Sequence, residues 1–247
     1  MDNRDDKAFV EDGYVALYGS VNGVLLHDVA WPLIVIALMK LILQDNYTGF
    51  VSSHGNLASL IVMIFTSLIT LGVALIIAKP KILLQAYKKY EQSDIKFIFA
   101  CFGAMLLFNL GYNSILLLSG VDVVGGNANQ AGVVELISAN PILSILAMII
   151  LAPLLEEITY RYFIYGGIAK FNRKWAIIIS GFIFMCVHGV ASFTSDIDNM
   201  ARELLMLPPY MFSGMVLAYA YDKKQNLLIP TSIHALNNLI SFILCLI

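Results

Sequence analysis

The apolar positions of this chain gather into long runs separated by short polar segments. A bilayer's hydrocarbon core takes about twenty apolar residues of helix. Seven stretches fit: residues 24–44, 57–78, 95–119, 141–169, 175–194, 205–221 and 227–247. Pro32 marks a kink or early turn in the first, which a membrane bundle accommodates. The fourth is long enough to tilt or to project past the lipid. The sixth is short and carries Pro208-Pro209 near its start. Between the third and fourth, Gly125-Gly126-Asn127 predicts a loop, and the mildly amphipathic stretch 133–137 predicts a short interfacial helix. No internal repeat is present. The pattern predicts an all-α, polytopic transmembrane helix bundle in three parts. These are a cytoplasmic tail (1–23), N-terminal membrane helices with an outer loop (24–140), and a C-terminal set of helices (141–247).

Composition agrees with that reading. Of 247 residues, 59% are hydrophobic and 13% charged, against about 25% charged in soluble domains. Mean hydropathy is +0.80. Net charge is −2, so nothing favours nucleic acid, whose phosphates reward a basic face. Cys101, Cys186 and Cys245 lie in apolar runs without CxxC spacing, which suits small buried hydrophobes better than disulfides or thiolate metal ligands. Residues 1–23 are polar and acid-rich and contain no signal-peptide core.

Lysine and arginine give the expected orientation. Arg4 and Lys7, the segment 79–96, Lys170 to Lys174, and Lys223 with Lys224 together hold twelve of the fifteen basic residues. All four segments fall on one side if seven spans alternate. The opposite side has only Arg202, while Lys40 and Arg161 lie inside spans. The positive-inside rule places the N-terminus in the cytoplasm.

Against this apolar background several ionisable groups stand out. A charge at the bilayer centre costs at least ~2.5–3.5 kcal/mol, yet the fourth span reads Pro153-Leu154-Leu155-Glu156-Glu157-Ile158-Thr159-Tyr160-Arg161. Glu157 and Arg161 are four apart and form an ion pair on one face, which leaves Glu156 without a partner in its own helix. The fifth span carries His188 and the seventh His234 and Asn238, again four apart. At about 1.5 Å per residue, Glu156, His188, Asn238 and His234 lie roughly 20, 21, 16 and 10 Å from the cytoplasmic ends of their helices. One layer of the membrane therefore collects them. A desolvated glutamate beside an imidazole suits activation of a water, and His with Asn one turn apart suits an oxyanion pocket. One Glu with two His is also a zinc ligand set; residue types alone leave both open. Tyr160 is four residues from Glu156 and within reach of it. Phe184 is read as packing, Asn237 as facing elsewhere, and His27 and His54 as ordinary interfacial residues.

These motifs, in this order, resemble the CPBP family of intramembrane proteases, which includes the type II CAAX prenyl endopeptidases and bacterial Abi proteins. The matching residues are Glu156 to Arg161, Phe184 to His188 and His234 to Asn238, and the resemblance covers roughly 141–247. It implies a membrane-embedded endopeptidase in which Glu156 activates water with His188. His234 and Asn238 would form the oxyanion pocket, while Glu157 and Arg161 would hold the site together. It implies no cofactor, with zinc on Glu156, His188 and His234 as the alternative. The chain looks more like a bacterial member of a plasma membrane, acting on membrane-associated peptides or protein tails such as bacteriocin or pheromone precursors. Two other readings use the same residues. One is a non-proteolytic partner or bacteriocin-immunity scaffold that binds another membrane protein; the other is a transporter built on Glu156 and Glu157.

Overall fold

The computed structural model describes residues 13–190, 192 and 197–246, and every regular element among them is helical. The acidic N-terminal stretch, with Arg4 and Lys7, lies outside the described residues. The main elements are α1 (residues 13–43), α2 (Tyr47–Ala78), α3 (Gln92–Leu118), α4 (Ala128–Ala139), α5 (Pro141–Ala169), α6 (Arg173–His188), α7 (Ile197–Leu205), α8 (Pro208–Lys224) and α9 (Leu228–Leu244). The expected all-α membrane bundle is the fold. Four helical runs are long and apolar enough to cross a bilayer: Gly13–Ala78, Gln92–Leu118, Pro141–Ala169 and Asn199–Lys224. The first of these has 66 residues, about 100 Å if straight, but Gln44 at φ 46° turns it back on itself. Asn22 on one arm then donates to the Thr70 carbonyl on the other (2.9 Å). At 16 and 17 residues, α6 and α9 are shorter than a full crossing.

The structure departs from the sequence expectation at the first boundary. Helix α1 begins at Gly13, inside the stretch read as a polar tail. The cause is close packing rather than hydropathy. Gly19 and Gly23, four apart, lie against Phe163 and Thr159, also four apart on α5. A Cβ on Gly23 would fall 2.0 Å from the Thr159 hydroxyl, and one on Gly19 2.2 Å from the Phe163 ring. This is a small-xxx-small contact of the kind that lets membrane helices approach. Gly23→Val should therefore overpack the α1–α5 contact by about 1–3 kcal/mol and lower the melting temperature in detergent. Gly49→Ala is the control, since a Cβ there meets nothing within 4 Å. Equal melting of both variants would remove this account of α1.

Helix α5 is not a uniform α-helix. Its turns at Ile145–Leu151 and Ile158–Tyr165 are π-helical, and they bracket the α-helical Ala152–Glu157. Pro153 has no N–H to give the carbonyl of Ile149, so the ladder on its N-terminal side widens instead of continuing. Helices α6 and α8 cross at two glycines: a Cβ on Gly214 would lie 2.9 Å from the Gly181 Cα. That approach brings the Gly214 carbonyl within reach of Arg161 Nη2 (3.2 Å). The turn before α9 is pinned by Asn226, whose Oδ1 accepts from the amides of Lys88 (2.9 Å) and Leu228 (3.0 Å). Leu227 N donates to the Ala86 carbonyl (2.8 Å), which fixes the height of His234 in the bundle.

Candidate active site

Three helices bring their ionisable side chains together. Oε2 of Glu156 on α5 lies 3.8 Å from Nε2 of His188 on α6 and 3.8 Å from Nε2 of His234 on α9. That oxygen is buried and makes no hydrogen bond to protein. His188 is the last residue of α6, six short of the predicted end, so its ring stands at a helix terminus over open space. Phe184 stacks on one face of the ring (4.2 Å between centroids) and Tyr210 on the other (5.0 Å). Phe184 also meets His234 edge-on at 5.7 Å and lies under the Arg161 guanidinium at 5.1 Å. It is the floor of the site, as its packing role implies.

Hydrogen bonds set the histidine tautomers. His188 Nδ1 lies 2.9 Å from the Phe184 carbonyl, which only accepts, so Nδ1 carries the proton and Nε2 turns its lone pair toward Glu156. His234 Nδ1 lies 2.8 Å from Oε1 of Glu157; a carboxylate likewise accepts, so Nδ1 donates there too. Glu157 also pairs with Arg161 Nε at 2.9 Å, and both side chains are fully buried. Glu157 thus does more than the i,i+4 pairing predicts, because it orients His234 across the helix interface.

Asn238 sits apart from this cluster. Its Nδ2 donates to the Met148 carbonyl (2.9 Å), inside the widened turn of α5 where backbone carbonyls are poorly paired. It ties α9 to α5, and with Asn237 it also lines the adjoining cavities. Asn237, read as facing elsewhere, therefore belongs to the cavity wall. Tyr160 is buried and edge-on to Phe184 at 5.1 Å; among the described residues no hydrogen bond joins it to Glu156. His54 is exposed and bonds its neighbour Ser53 (2.7 Å), away from the site. The three cysteines are unpaired, and only Cys101 is fully buried. Cys245 lines the cavity rather than the core.

Two adjoining cavities open beside the histidines. One, of about 500 Å³, runs between α3, α8 and α9 past Asn109, Asn113, Gln130 and Ser213. The other, of about 430 Å³, reaches Glu156 beneath α4. Both include His188, His234 and Tyr210. Their outer wall is held by Arg202, which sequence reasoning saw only as the lone basic residue of the outer side. Arg202 donates to the carbonyls of Asp122 (2.7 Å) and Gly126 (2.8 Å). Glu203 accepts from the Ala128 amide and the Ser192 hydroxyl, both at 2.9 Å. Gly125 and Gly126, at φ 80° and 72°, make the turn that only glycine takes freely. The candidate zinc ligands Glu156, His188 and His234 stand with Glu156 Oε2 3.8 Å from each imidazole Nε2. Among the described residues no group of three or more His, Cys, Asp or Glu side chains is arranged to hold a metal ion.

The chain is an integral membrane helix bundle with ionisable side chains gathered in its interior. Residues 138–240 match the family profile described as type II CAAX prenyl endopeptidase Rce1-like, which bears out the resemblance read from the motifs. The match indicates a CAAX-type intramembrane protease. The chain is also similar to the UPF0177 protein YxdF of Lactococcus lactis subsp. lactis (strain IL1403). The two are 28% identical over 151 residues, covering 59% of this chain and 76% of that protein. No solved structure matches the chain.

Proposed function

We propose that this protein hydrolyses peptide bonds of membrane-associated peptides or protein tails, with Glu156 and His188 activating the attacking water. The observation that carries the reading is the pair of 3.8 Å separations from Glu156 Oε2 to the two imidazole Nε2 atoms. Glu156 Oε2 and His188 Nε2 are both acceptors, and a water between them donates one hydrogen to each. In the reaction Glu156 takes a proton as the water oxygen bonds to the carbonyl carbon. The oxyanion that forms lies in a pocket shared by Asn238 and His234, whose ring is held in place by its Nδ1–H bond to the Glu157 carboxylate. Collapse breaks the C–N bond, and Glu156 passes its proton to the departing amine.

Asn238 keeps one amide hydrogen beyond the one given to Met148, and its place in the cavity wall suits it to the substrate carbonyl or backbone. The asparagine, glutamine and serine lining of the cavity supplies uncharged donors and acceptors for a peptide. A bacterial plasma membrane suits this reading, with secreted peptide precursors as the substrate class. Comparative peptidomics of cells carrying the intact protein and the Glu156→Ala variant tests it. Precursors should accumulate and their fragments vanish in the variant. Identical peptide pools with equal protein levels would remove the proposal.

A further inference from the structure

A third, smaller chamber lies on the α1–α2 side of Glu156. It has a volume of about 190 Å³ and is lined by His27 and Asp28 of α1, Ser67 of α2, and Glu156, Thr159 and Tyr160 of α5. It adjoins the larger cavity at Glu156, His188 and Asn129, which line both. Ser67 is 2% exposed, and its hydroxyl makes no hydrogen bond to protein. Neither does Glu156 Oε2. Ser67 and Glu156 both line the chamber and each has an oxygen without a protein partner, which suits small hydrogen-bonding molecules, and at ~30 Å³ each the chamber has room for about six waters.

Met63, Ala152, Leu155 and Val187 make the apolar part of the wall, and the polar part is braced from behind. Thr70 gives its hydroxyl proton to the Thr66 carbonyl (2.9 Å), so it accepts from His27 Nδ1 (3.0 Å). That bond holds the proton of His27 on Nδ1 and leaves Nε2 as an acceptor. Asn22, anchored to the Thr70 carbonyl and to Trp31 Nε1 (3.1 Å), braces the same turn. Asp28 lines the chamber and is also exposed, which puts it where the chamber opens. It is the only acid in the apolar stretch 24–44. A carboxylate at that level is costly against lipid and stable against water.

We infer that this chamber is a hydrated side channel that delivers the attacking water to Glu156 from the face opposite the peptide cavity, with Asp28 keeping its mouth wet. Ser67 and Asp28 are positioning residues in this scheme, since they act through the water they hold. The role as a supply to catalysis rests on the hydrolytic reading of Glu156. Hydration of the chamber does not.

Two measurements on the purified full chain decide it. Radiolytic hydroxyl labelling with mass spectrometry reads water next to His27 and Tyr160, which line this chamber and not the larger cavities. Both should label in the parent and be protected several-fold in Ser67→Leu, whose side chain fills the space. Absence of labelling in the parent, with exposed residues labelled, overturns the inference whether or not any peptide is cleaved. In cleavage assays Ser67→Leu should lose at least tenfold in kcat with KM and melting temperature unchanged, and Ser67→Ala should keep several-fold more of the rate. Should Ser67→Leu fail to fold, Asp28→Leu at the exposed mouth takes its place, with Asp28→Asn retaining more of the rate. Parental kcat in the folded, filled variant overturns the channel and leaves the assignment of Glu156 intact. A parent that cleaves nothing removes that assignment, and the labelling still decides the chamber.

Discussion

Glu156→Gln should give a protein that inserts, purifies and melts like the parent yet cuts its peptide about a thousandfold more slowly. The amide keeps the size and one acceptor oxygen of the carboxylate but cannot take a proton from water. General-base catalysis contributes ~10²–10⁴ in rate. His188→Ala should cost about a hundredfold, because its Nε2 shares the water with Glu156 while Glu156 keeps the proton. It also removes a ring stacked between Phe184 and Tyr210, so His188→Gln is the better control for packing. Single-turnover cleavage of a defined membrane peptide by the parent and the three variants is the measurement. Substrate affinity should change little in Glu156→Gln, since the loss lies in the chemical step. A Glu156→Gln variant that processes substrate at the parental rate would place the chemistry elsewhere.

Much of the bundle is legible in the sequence because its physics is one-dimensional. Runs of apolar residues report helices whatever their neighbours are. Charges forbidden by lipid report an interior site whatever its shape. Glu156, His188 and His234 stand out for that reason, and the structure brings Glu156 Oε2 within 3.8 Å of both imidazole Nε2 atoms. What the sequence hides depends on which helix meets which. Gly19 and Gly23 look like ordinary residues of a polar tail until Thr159 and Phe163 are seen against them. His27 reads as interfacial because helix α1 alone gives no hint that it lines one chamber with Glu156. Asp28 does carry a signal in the sequence, as the lone acid of an apolar run. The tie from Asn238 to Met148 depends on a widened turn in α5. Pro153 hints at that turn without specifying which carbonyl it frees.

Arg161→Met should lower the melting temperature by on the order of 10 °C. Glu157 and Arg161 are both fully buried and 2.9 Å apart. Removing one partner strands the other's charge, at about 3–5 kcal/mol. For a chain of this size each kcal/mol corresponds to roughly 2–4 °C. Glu157→Ala should be at least as damaging, since it strands Arg161 and also takes the acceptor from His234 Nδ1. The two roles of Glu157 separate in the double variant Glu157→Gln with Arg161→Met. That pair carries no buried charge but keeps an amide oxygen for the His234 N–H. Its melting temperature should recover most of the way to the parent. Its cleavage rate should stay well below the parent's, because a neutral amide holds the His234 ring less firmly than the carboxylate does. Thermal melts and cleavage rates on the same preparations check both statements. Recovery of rate together with stability would show that Glu157 serves only as Arg161's counter-ion, and the link from Glu157 through His234 to the reacting carbonyl would have to be abandoned.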